Sequence, residues 1–175
     1  MTNSTPGRPA TDEFADWYAG YIGLVPDGDV RDHLRRQANE TISLLSGVTD
    51  TRASRGYAPG KWSLKELVCH VGDGERVFAY RLLRIARGDA TPLPGFEQDD
   101  WVPQSGANAR SMEGLLLELS TVRGATVQLA DSLSPDAWMR RGTASGNPLS
   151  ARAIAYIIAG HELHHRQIVR EKYLP

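Results

Sequence analysis

Three of the five histidines of the chain lie within the segment GHELHHRQIV, residues 160–169. His161, Glu162 and His165 complete the motif H-E-x-x-H, in which two histidines bind zinc and the glutamate is the general base of a protease. The same spacing also places two imidazoles one turn apart on one face of a helix. These residues therefore fit either a zinc protease or a metal site in a helical protein.

A zinc protease needs more than this short motif. In the extended motif a glycine at position 168 turns the chain, so that the residue at position 171 can reach the metal. Here those positions hold Ile168 and Glu171. On a continuous helix Glu171 would lie about 15 Å along the axis from His161, at 1.5 Å per residue. No strand is apparent along which a peptide substrate could lie, and the sequence argues against a protease.

The pair at positions 161 and 165 falls within the apolar face of the last amphipathic stretch. At about 100° per residue, it aligns with a stripe formed by Ile154, Ile158 and Ile168. His164 falls at the edge of this stripe, and we do not expect it to be a ligand. Buried imidazoles need partners for both ring nitrogens, which a hydrogen-bonded core or a bound metal would supply. Two histidines in one apolar stripe favour the metal.

A third histidine, His70, lies at the border of the buried face of an earlier helix. A di-iron site is one alternative, because Glu162 and His165 form a Glu-x-x-His element, but such sites need two copies and this chain has one. His70, His161 and His165 instead predict a mononuclear site that leaves coordination positions open for water or substrate. We expect one divalent transition metal per chain, Zn²⁺ or Ni²⁺ first, with Fe²⁺ or Mn²⁺ as alternatives.

Four amphipathic stretches with the period of helices would position these residues. We expect helices over 30–46, 64–87, 112–133 and 151–172, preceded by the capping residues Asp29, Ser63, Ser111 and Ser150. Residues 88–110 form a Pro- and Gly-containing connector, expected to have little regular structure and to lie over one end of the bundle. No alternating strand pattern is apparent, and residues 134–150 are expected to form a loop. The predicted fold is an all-α four-helix bundle with one long crossover.

Length and composition restrict the class of protein. The chain has 175 residues, and we expect a disordered segment at 1–11 followed by a single domain at 12–175. Twenty basic and 21 acidic residues give a net charge of −1, which predicts no attraction to nucleic acid or to an anionic membrane. Cys69 is the only cysteine, no secretion signal is apparent, and the longest apolar run, AIAYIIAG, is too short for a membrane span. We therefore expect a cytoplasmic protein.

Further residues close to the histidines are candidates for the chemistry. Asp73 and Glu162 each follow a predicted ligand closely and are candidates for proton transfer. Arg81 is a candidate contact for an anionic substrate, and Trp101 on the connector is a candidate pocket residue. A solvated helix face is the alternative for Asp73 and for the basic run that contains Arg81. Cys69 is expected to be a buried apolar side chain rather than a nucleophile.

The chain resembles the DinB/YfiT-like metal-binding four-helix bundles, the DinB superfamily, over nearly its whole length. The resemblance is sharpest in YAPGKWSLKELVCHVGDGERVFAYRLLRIARGD and NPLSARAIAYIIAGHELHHRQI. It implies an up-down-down-up topology with the connector as a crossover, and a metal triad on His70, His161 and His165. It also implies a homodimer. Relatives include transferases that use bacillithiol, mycothiol or glutathione, which implies a low-molecular-weight thiol as co-substrate, whereas many members have no assigned reaction.

Two functions follow from these residues. The first is a metal-dependent thiol transferase or hydrolase acting on a small electrophile, which would enter at the bundle end near the crossover. The second is a non-catalytic metal-binding stress-response module, in which the metal joins the second and fourth helices. An open coordination position beside a pocket favours the enzyme, whereas a fourth protein ligand favours the module.

Overall fold

The computed structural model of the chain describes residues 5–174. Within them the helices are α1 Ala19–Leu24, α2 Val30–Leu45, α3 Asp50–Ala53, α4 Leu64–Ala86, α5 Gln98–Trp101, α6 Met112–Asp131, α7 Pro135–Met139 and α8 Ala151–Ile168. Two strands, β1 Arg141–Ala144 and β2 Asn147–Ser150, form an antiparallel hairpin. The four long helices α2, α4, α6 and α8 make the four-helix bundle that the sequence predicts. No helix in this part of the chain is both long and apolar enough to cross a membrane.

The four long helices begin at the residues that the capping pattern predicts. In each case a side-chain oxygen at the N-cap accepts a hydrogen bond from a backbone N–H of the first turn, at Asp29, Ser63, Ser111 and Ser150. At Ser63 the capping box is complete, because the Glu66 carboxylate accepts from the Ser63 N–H at 2.7 Å. The last helix changes to a π-helical turn at Val169–Tyr173. The predicted boundaries are therefore correct to within about two residues, except at this last end.

Contacts between the helices define their directions. Gln37 on α2 donates to the Ala159 carbonyl on α8, and further along both helices Arg166 donates to Glu40, so these two helices are parallel. The helices α4 and α6 are also parallel, because both of their first turns meet Asp50. At the opposite end, α2 and α6 approach each other through an ion pair between residues 35 and 131, which makes them antiparallel. The topology is up-down-down-up.

The connector between α4 and α6 follows the length of the bundle. Two parallel helices in sequence need a connection that returns past the whole first helix, here about 34 Å for α4 at 1.5 Å per residue. Near the end of α4 the Leu93 N–H donates to the Thr143 carbonyl, and near its start Ser63 donates to Asn108. The expectation that the connector lies over one end of the bundle is wrong. It also contains α5 and two short 3₁₀ turns, Val102–Gln104 and Ala107–Ala109.

The segment 134–150 is more ordered than the expected loop. It contains the one-turn helix α7 and the hairpin, whose two-residue turn places Ser145 at φ 51° and Gly146 at φ 75°. Positive φ at both central residues is typical of the type I′ turn that matches the twist of a hairpin. Each strand has only four residues, so its alternation was too short to recognise in the sequence.

The N-terminal segment lies against α1 and α8. Pro6 and Pro9 are buried, and Arg8 donates to the carbonyls of Ile22 and Val25 at 2.7 and 2.6 Å. Residues 5–11 are thus in contact with the bundle, and the rest of the segment expected to be disordered, residues 1–4, lies outside the described residues.

A buried polar layer separates two apolar cores. One core contains Phe78, Leu82 and Ile154, and the other contains Leu67 and Leu115. Between them each long helix contributes buried polar side chains, at Gln37, Thr41, His70, Glu75, Arg123, Thr126, His161, Glu162 and His165. Burying so many polar groups costs free energy unless they are paired, so we expect each group in this layer to have a partner or a function.

Candidate metal centre

The structure brings the three predicted ligands together within the polar layer. The Nε2 atom of His161 lies 3.1 Å from that of His70 on α4 and 3.1 Å from that of His165. One ligand atom from each residue can be chosen so that all three lie within 4.8 Å of one another. The three side chains are buried, with exposures of 6–8%. A single ion can therefore contact all three imidazoles.

The spacing of the nitrogens and their charge state both fit a transition metal. A tetrahedral ion bound at 2.0–2.1 Å holds its ligand nitrogens about 3.3 Å apart, close to the separations found here. Burial lowers the pKa of His70 and of His161, and lowers the pKa of His165 to about 3. All three imidazoles are therefore neutral at pH 7, the form that binds metal. One imidazole lone pair cannot satisfy two neighbours, so hydrogen bonding among the three rings is a poor substitute.

Two glycines allow the helices to approach closely around His161. A Cβ at Gly74 on α4 would lie 3.1 Å from the Cε1 atom of His161. A Cβ at Gly160 would lie 2.0 Å from the Tyr21 carbonyl oxygen, so α1 packs directly on the backbone of α8. A side chain at Gly74 would therefore crowd His161, whereas a Cβ at Gly72 would make only ordinary contact, 3.8 Å, with the end of Arg76.

Aromatic rings enclose the three histidines. The ring of Trp62 lies 5.0 Å from that of His70, and the rings of Tyr21 and Phe78 lie 5.4 and 6.2 Å from that of His161. Sequence reasoning did not assign these aromatic residues to the site. Apolar rings around neutral ligands exclude water and strengthen any electrostatic interaction at the site.

A pocket of about 380 Å³ opens beside the triad. Its wall includes His70, Phe78 and Arg81 on α4 and His161 on α8. It is completed by α1 and the residues just before it, by the connector and by the hairpin turn, at Trp17, Tyr18, Tyr21, Gly95, Phe96, Glu97, Gln98 and Ser145. A second pocket, of about 280 Å³, reaches His165 between Trp62, Asp99 and Tyr173. The crossover therefore forms part of the wall of both pockets along the side of the bundle, and neither is confined to its end.

Arg81, the candidate contact for an anionic substrate, lies in the wall of the larger of these two pockets. It is 2% exposed, so the alternative of a solvated basic face does not apply. Trp101, the candidate pocket residue, is 45% exposed and does not line this pocket, although its ring packs at a tilt against that of Phe96, with centroids 5.0 Å apart.

The two carboxylates considered for proton transfer have other partners. Asp73 is partly exposed and receives a hydrogen bond from Arg76 at 3.0 Å. Glu162 is buried, accepts from the Thr41 hydroxyl, and lies 2.6 Å from the guanidinium of Arg123. These contacts give no support to proton transfer at the triad by either residue, since each carboxylate is held by an arginine.

Arg123 joins α6 to both helices that carry the histidines. It donates to both carboxylate oxygens of Glu75 on α4 at 2.8 Å, to the Leu34 carbonyl at 3.0 Å, and pairs with Glu162 on α8. Sequence reasoning missed this cluster. A signal was present, because Arg123 stands four residues after Leu119, within the apolar stripe of its helix.

The remaining histidines and the cysteine lie apart from the three nitrogens. His164 is half-buried and packs its ring against Tyr21 at 5.3 Å, outside the cluster. His33 is buried, and its ring nitrogens contact the Asp27 carbonyl at 3.3 Å and Arg36 at 2.8 Å. Cys69 is buried, and burial raises the pKa of its thiol, which fits an apolar rather than a nucleophilic side chain.

The fold and the cluster together define a class of helical bundle that carries a three-histidine site between two of its helices. The model of one such family, the DinB superfamily, matches residues 33–169. The chain therefore belongs to the DinB superfamily, as the resemblance of its sequence implies.

Two individual proteins agree with this assignment. A protein of Oceanobacillus iheyensis, whose name describes it as an inferred metal-dependent hydrolase, is 29% identical to this chain over 84 residues. That match spans about half of each chain, 46% of this one and 48% of the relative. The structure of YfiT from Bacillus subtilis, described by inference as a metal-dependent hydrolase with an unusual four-helix bundle topology, superposes with a TM-score of 0.69. It covers 97% of both chains at 13% identity, so the likeness concerns the fold.

Proposed function

We propose that the protein is a divalent-metal-dependent hydrolase that acts on a small molecule, with one metal ion held by His70, His161 and His165. The convergence of three buried, neutral Nε2 atoms beside a pocket carries this proposal. The names of the relative from Oceanobacillus iheyensis and of YfiT point in the same direction.

Charge in the polar layer supports a cation at the triad. One guanidinium, Arg123, faces the two carboxylates of Glu75 and Glu162, so this cluster carries excess negative charge when both are ionised. Glu162 and His165 line the same small cavity between the helices. A cation bound to the histidines would offset that excess, because electrostatic interactions are strong in a region of low dielectric.

The coordination supports a catalytic rather than a purely structural metal. Among residues 5–174 the ligand group contains three residues and no fourth. Structural zinc sites are closed by four protein ligands, whereas catalytic sites keep a position open. Here the open side adjoins a pocket large enough for a small substrate, an arrangement that a simple joint between two helices would not need.

The histidines, the aromatic rings and Tyr21 would have different roles at this site. When bound, a divalent metal supplies Lewis-acid activation of a water or thiol and of a carbonyl group. The three imidazoles hold it without neutralising its charge. The aromatic rings of Trp62 and Phe78 limit the access of water. Burial raises the pKa of Tyr21, so its hydroxyl stays protonated and is available to donate a hydrogen bond from the pocket wall.

Transfer to a low-molecular-weight thiol is a second candidate reaction. The observation that favours it is the second pocket, which reaches His165 while the first reaches His70 and His161. A hydrolase needs room for one organic substrate, whereas a transferase needs room for two. Two pockets at one triad would suit an electrophile and a thiol.

A reconstitution experiment tests the proposal. The metal-free protein would be loaded separately with Zn²⁺, Ni²⁺ or Mn²⁺ and assayed against small esters, amides, lactones and epoxides, with and without cellular thiols. We expect turnover in the loaded protein and in His164→Ala, and its loss in His161→Ala. Turnover that persists in His161→Ala would contradict the proposal, and full metal occupancy without any turnover would favour the non-catalytic alternative.

A further inference from the structure

Arg81 is a buried guanidinium without a carboxylate partner. Its side chain is 2% exposed, and no Asp or Glu oxygen among the described residues lies within 4.0 Å of it. Its Nη2 atom donates to the Pro94 carbonyl at 2.6 Å and to the Ser145 hydroxyl at 3.2 Å. Its Nη1 atom is buried and has no hydrogen-bond partner within residues 5–174.

Such an arrangement is costly unless a further partner binds. A buried cation loses its hydration, and a missing counterion leaves that loss uncompensated. The rings of Phe78 and Phe96 lie 5.6 and 5.7 Å from the guanidinium carbon and offset part of it through cation–π contacts. They do not accept the in-plane hydrogen bonds of Nη1. The contrast with Arg123, which meets two carboxylates and a carbonyl, shows that this fold can pair a buried arginine fully.

Arg81 shares the larger pocket with the triad. Both it and His161 line the 380 Å³ space, and Phe78 packs against each of them. Arg81 comes seven positions after Gly74 on α4, and Gly74 lies next to His161. The distance between these two positions along the helix axis is about 10 Å, at 1.5 Å per residue. This is the length of roughly three extended peptide residues, so one small molecule can reach both.

We propose that Arg81 is the binding site for a carboxylate group of the substrate, whose opposite end lies at the triad. This inference rests on the proposed function. An ionised carboxylate would accept from the free N–H groups of Nη1, and the Ser145 hydroxyl, which already accepts from Nη2, retains its own proton to donate. Flat aromatic neighbours suit a flat carboxylate. Glu97 at the same pocket is exposed, so solvent screens its repulsion. The substrate class is thus a small carboxylic acid that carries a hydrolysable or electrophilic group.

A pair of matched probes tests this site in the Co²⁺-loaded protein. The probes are 6-mercaptohexanoate and 6-mercaptohexanamide, which present the same thiol to the metal and differ only in the distal charge. Titrations followed by the visible Co²⁺ spectrum give a Kd for each. We expect the carboxylate to bind at least tenfold more tightly than the amide to the wild-type protein, and this preference to vanish in Arg81→Gln. Equal Kd values for the two probes in the wild type would overturn the inference.

Controls separate the failure of this site from that of the metal. If neither probe perturbs the spectrum, the comparison moves to calorimetry of the metal-free protein with pentanoate and pentanamide, where the same preference is expected and its absence overturns the inference. Arg81→Gln also loses the contacts to Pro94 and Ser145, so its folding is checked by thermal unfolding. Arg81→Lys keeps the charge, and we expect it to retain part of the carboxylate preference. A loss as complete as that of Arg81→Gln would assign Arg81 a structural role instead.

Discussion

The polar layer contains two clusters that both include residues of α4 and α8, and they differ in how fully their groups are paired. In the cluster of Glu75, Arg123 and Glu162, both Glu75 oxygens accept from the guanidinium and one Glu162 oxygen accepts from the Thr41 hydroxyl. The other Glu162 oxygen, Oε2, lies 2.6 Å from the guanidinium as an ion pair without an aligned hydrogen bond. In the histidine cluster, three neutral nitrogens face one another at close range, and the Nδ1 atom of His165 is buried without a partner in the described part of the chain.

The difference separates a structural group from a functional one. The cluster around Arg123 has a partner for each of its charged groups within the chain, and it joins α4, α6 and α8 in a single arrangement. Neutral imidazoles gathered without adequate partners are retained at a cost, which is expected where a ligand completes the site. Since His161 and Glu162 are consecutive on α8, the same helix turn contributes to the histidine cluster and to the cluster around Arg123.

The largest expected effect is on the paired cluster. Arg123→Met would leave two buried carboxylates facing each other without their shared cation, and we expect the free energy of unfolding to fall by about 3–5 kcal/mol. Urea denaturation measures this loss. The control is Arg35→Met, since Arg35 pairs with Asp32 and Asp131 at the surface, where ion pairs contribute less than about 1 kcal/mol. Similar losses in both variants would contradict the structural role of Arg123.

A third buried carboxylate extends the comparison to pH. Burial alone would raise the pKa of Glu13, but hydrogen bonds from Arg152, Ser150 and the Ala10 N–H outweigh it and lower the pKa from 4.5 to about 2. The stability contributed by ionised Glu13 is therefore complete above pH 4.5 and is lost as the pH falls toward 2. We expect Glu13→Gln to cost about 1–2 kcal/mol at pH 7, and less with each step below pH 4.5. A difference from wild type that stays constant across urea titrations at pH 7, 4.5 and 3 would refute this.

A smaller effect, on metal affinity, is expected when a methyl group is added beside the triad. Gly74→Ala would place a Cβ 3.1 Å from His161, so the ring must shift by a few tenths of an ångström. We expect metal affinity to fall by about tenfold, the lower end of what disturbed ligand orientation costs. Competition with a chromophoric chelator gives the affinity. Gly72→Ala makes only ordinary contact and is the matched control, with unchanged affinity expected. An equal drop in both variants would show that helix geometry, not contact with His161, is responsible.

The smallest effect on stability is expected in the histidine cluster without metal. His165→Leu replaces a buried imidazole lacking a full set of partners by an apolar side chain, an exchange that is often neutral or favourable. In the metal-free protein we expect the free energy of unfolding to change by no more than about 1 kcal/mol. A loss as large as that of Arg123→Met would mean that the histidines hold the bundle together themselves, and the comparison between the clusters would fail.

The sequence predicted what local patterns specify. Capping residues such as Ser63 and Ser150 determine where helices begin, because their side chains satisfy backbone N–H groups of the first turn. Helical periodicity was likewise enough to bring His161, His165 and His70 into one group, since each lies on or beside an apolar stripe.

The rest depends on partners distant in sequence. The local sequence around Glu75 does not predict that Arg123 is its partner, because the packing of α4 against α6 determines that pairing. The course of the connector follows from the parallel direction of those helices, which the periodicity of each helix alone does not reveal. The hairpin around Ser145 was missed because four-residue strands are too short to show their alternation.

Elemental analysis of the purified protein tests most directly whether His70, His161 and His165 hold one metal ion. Wild type and His164→Ala should each contain about one transition metal per chain, because the His164 ring packs on Tyr21 outside the cluster. His70→Ala and His165→Ala should lose it, while circular dichroism shows that both variants keep their helices. Full occupancy retained in both folded variants would contradict the account.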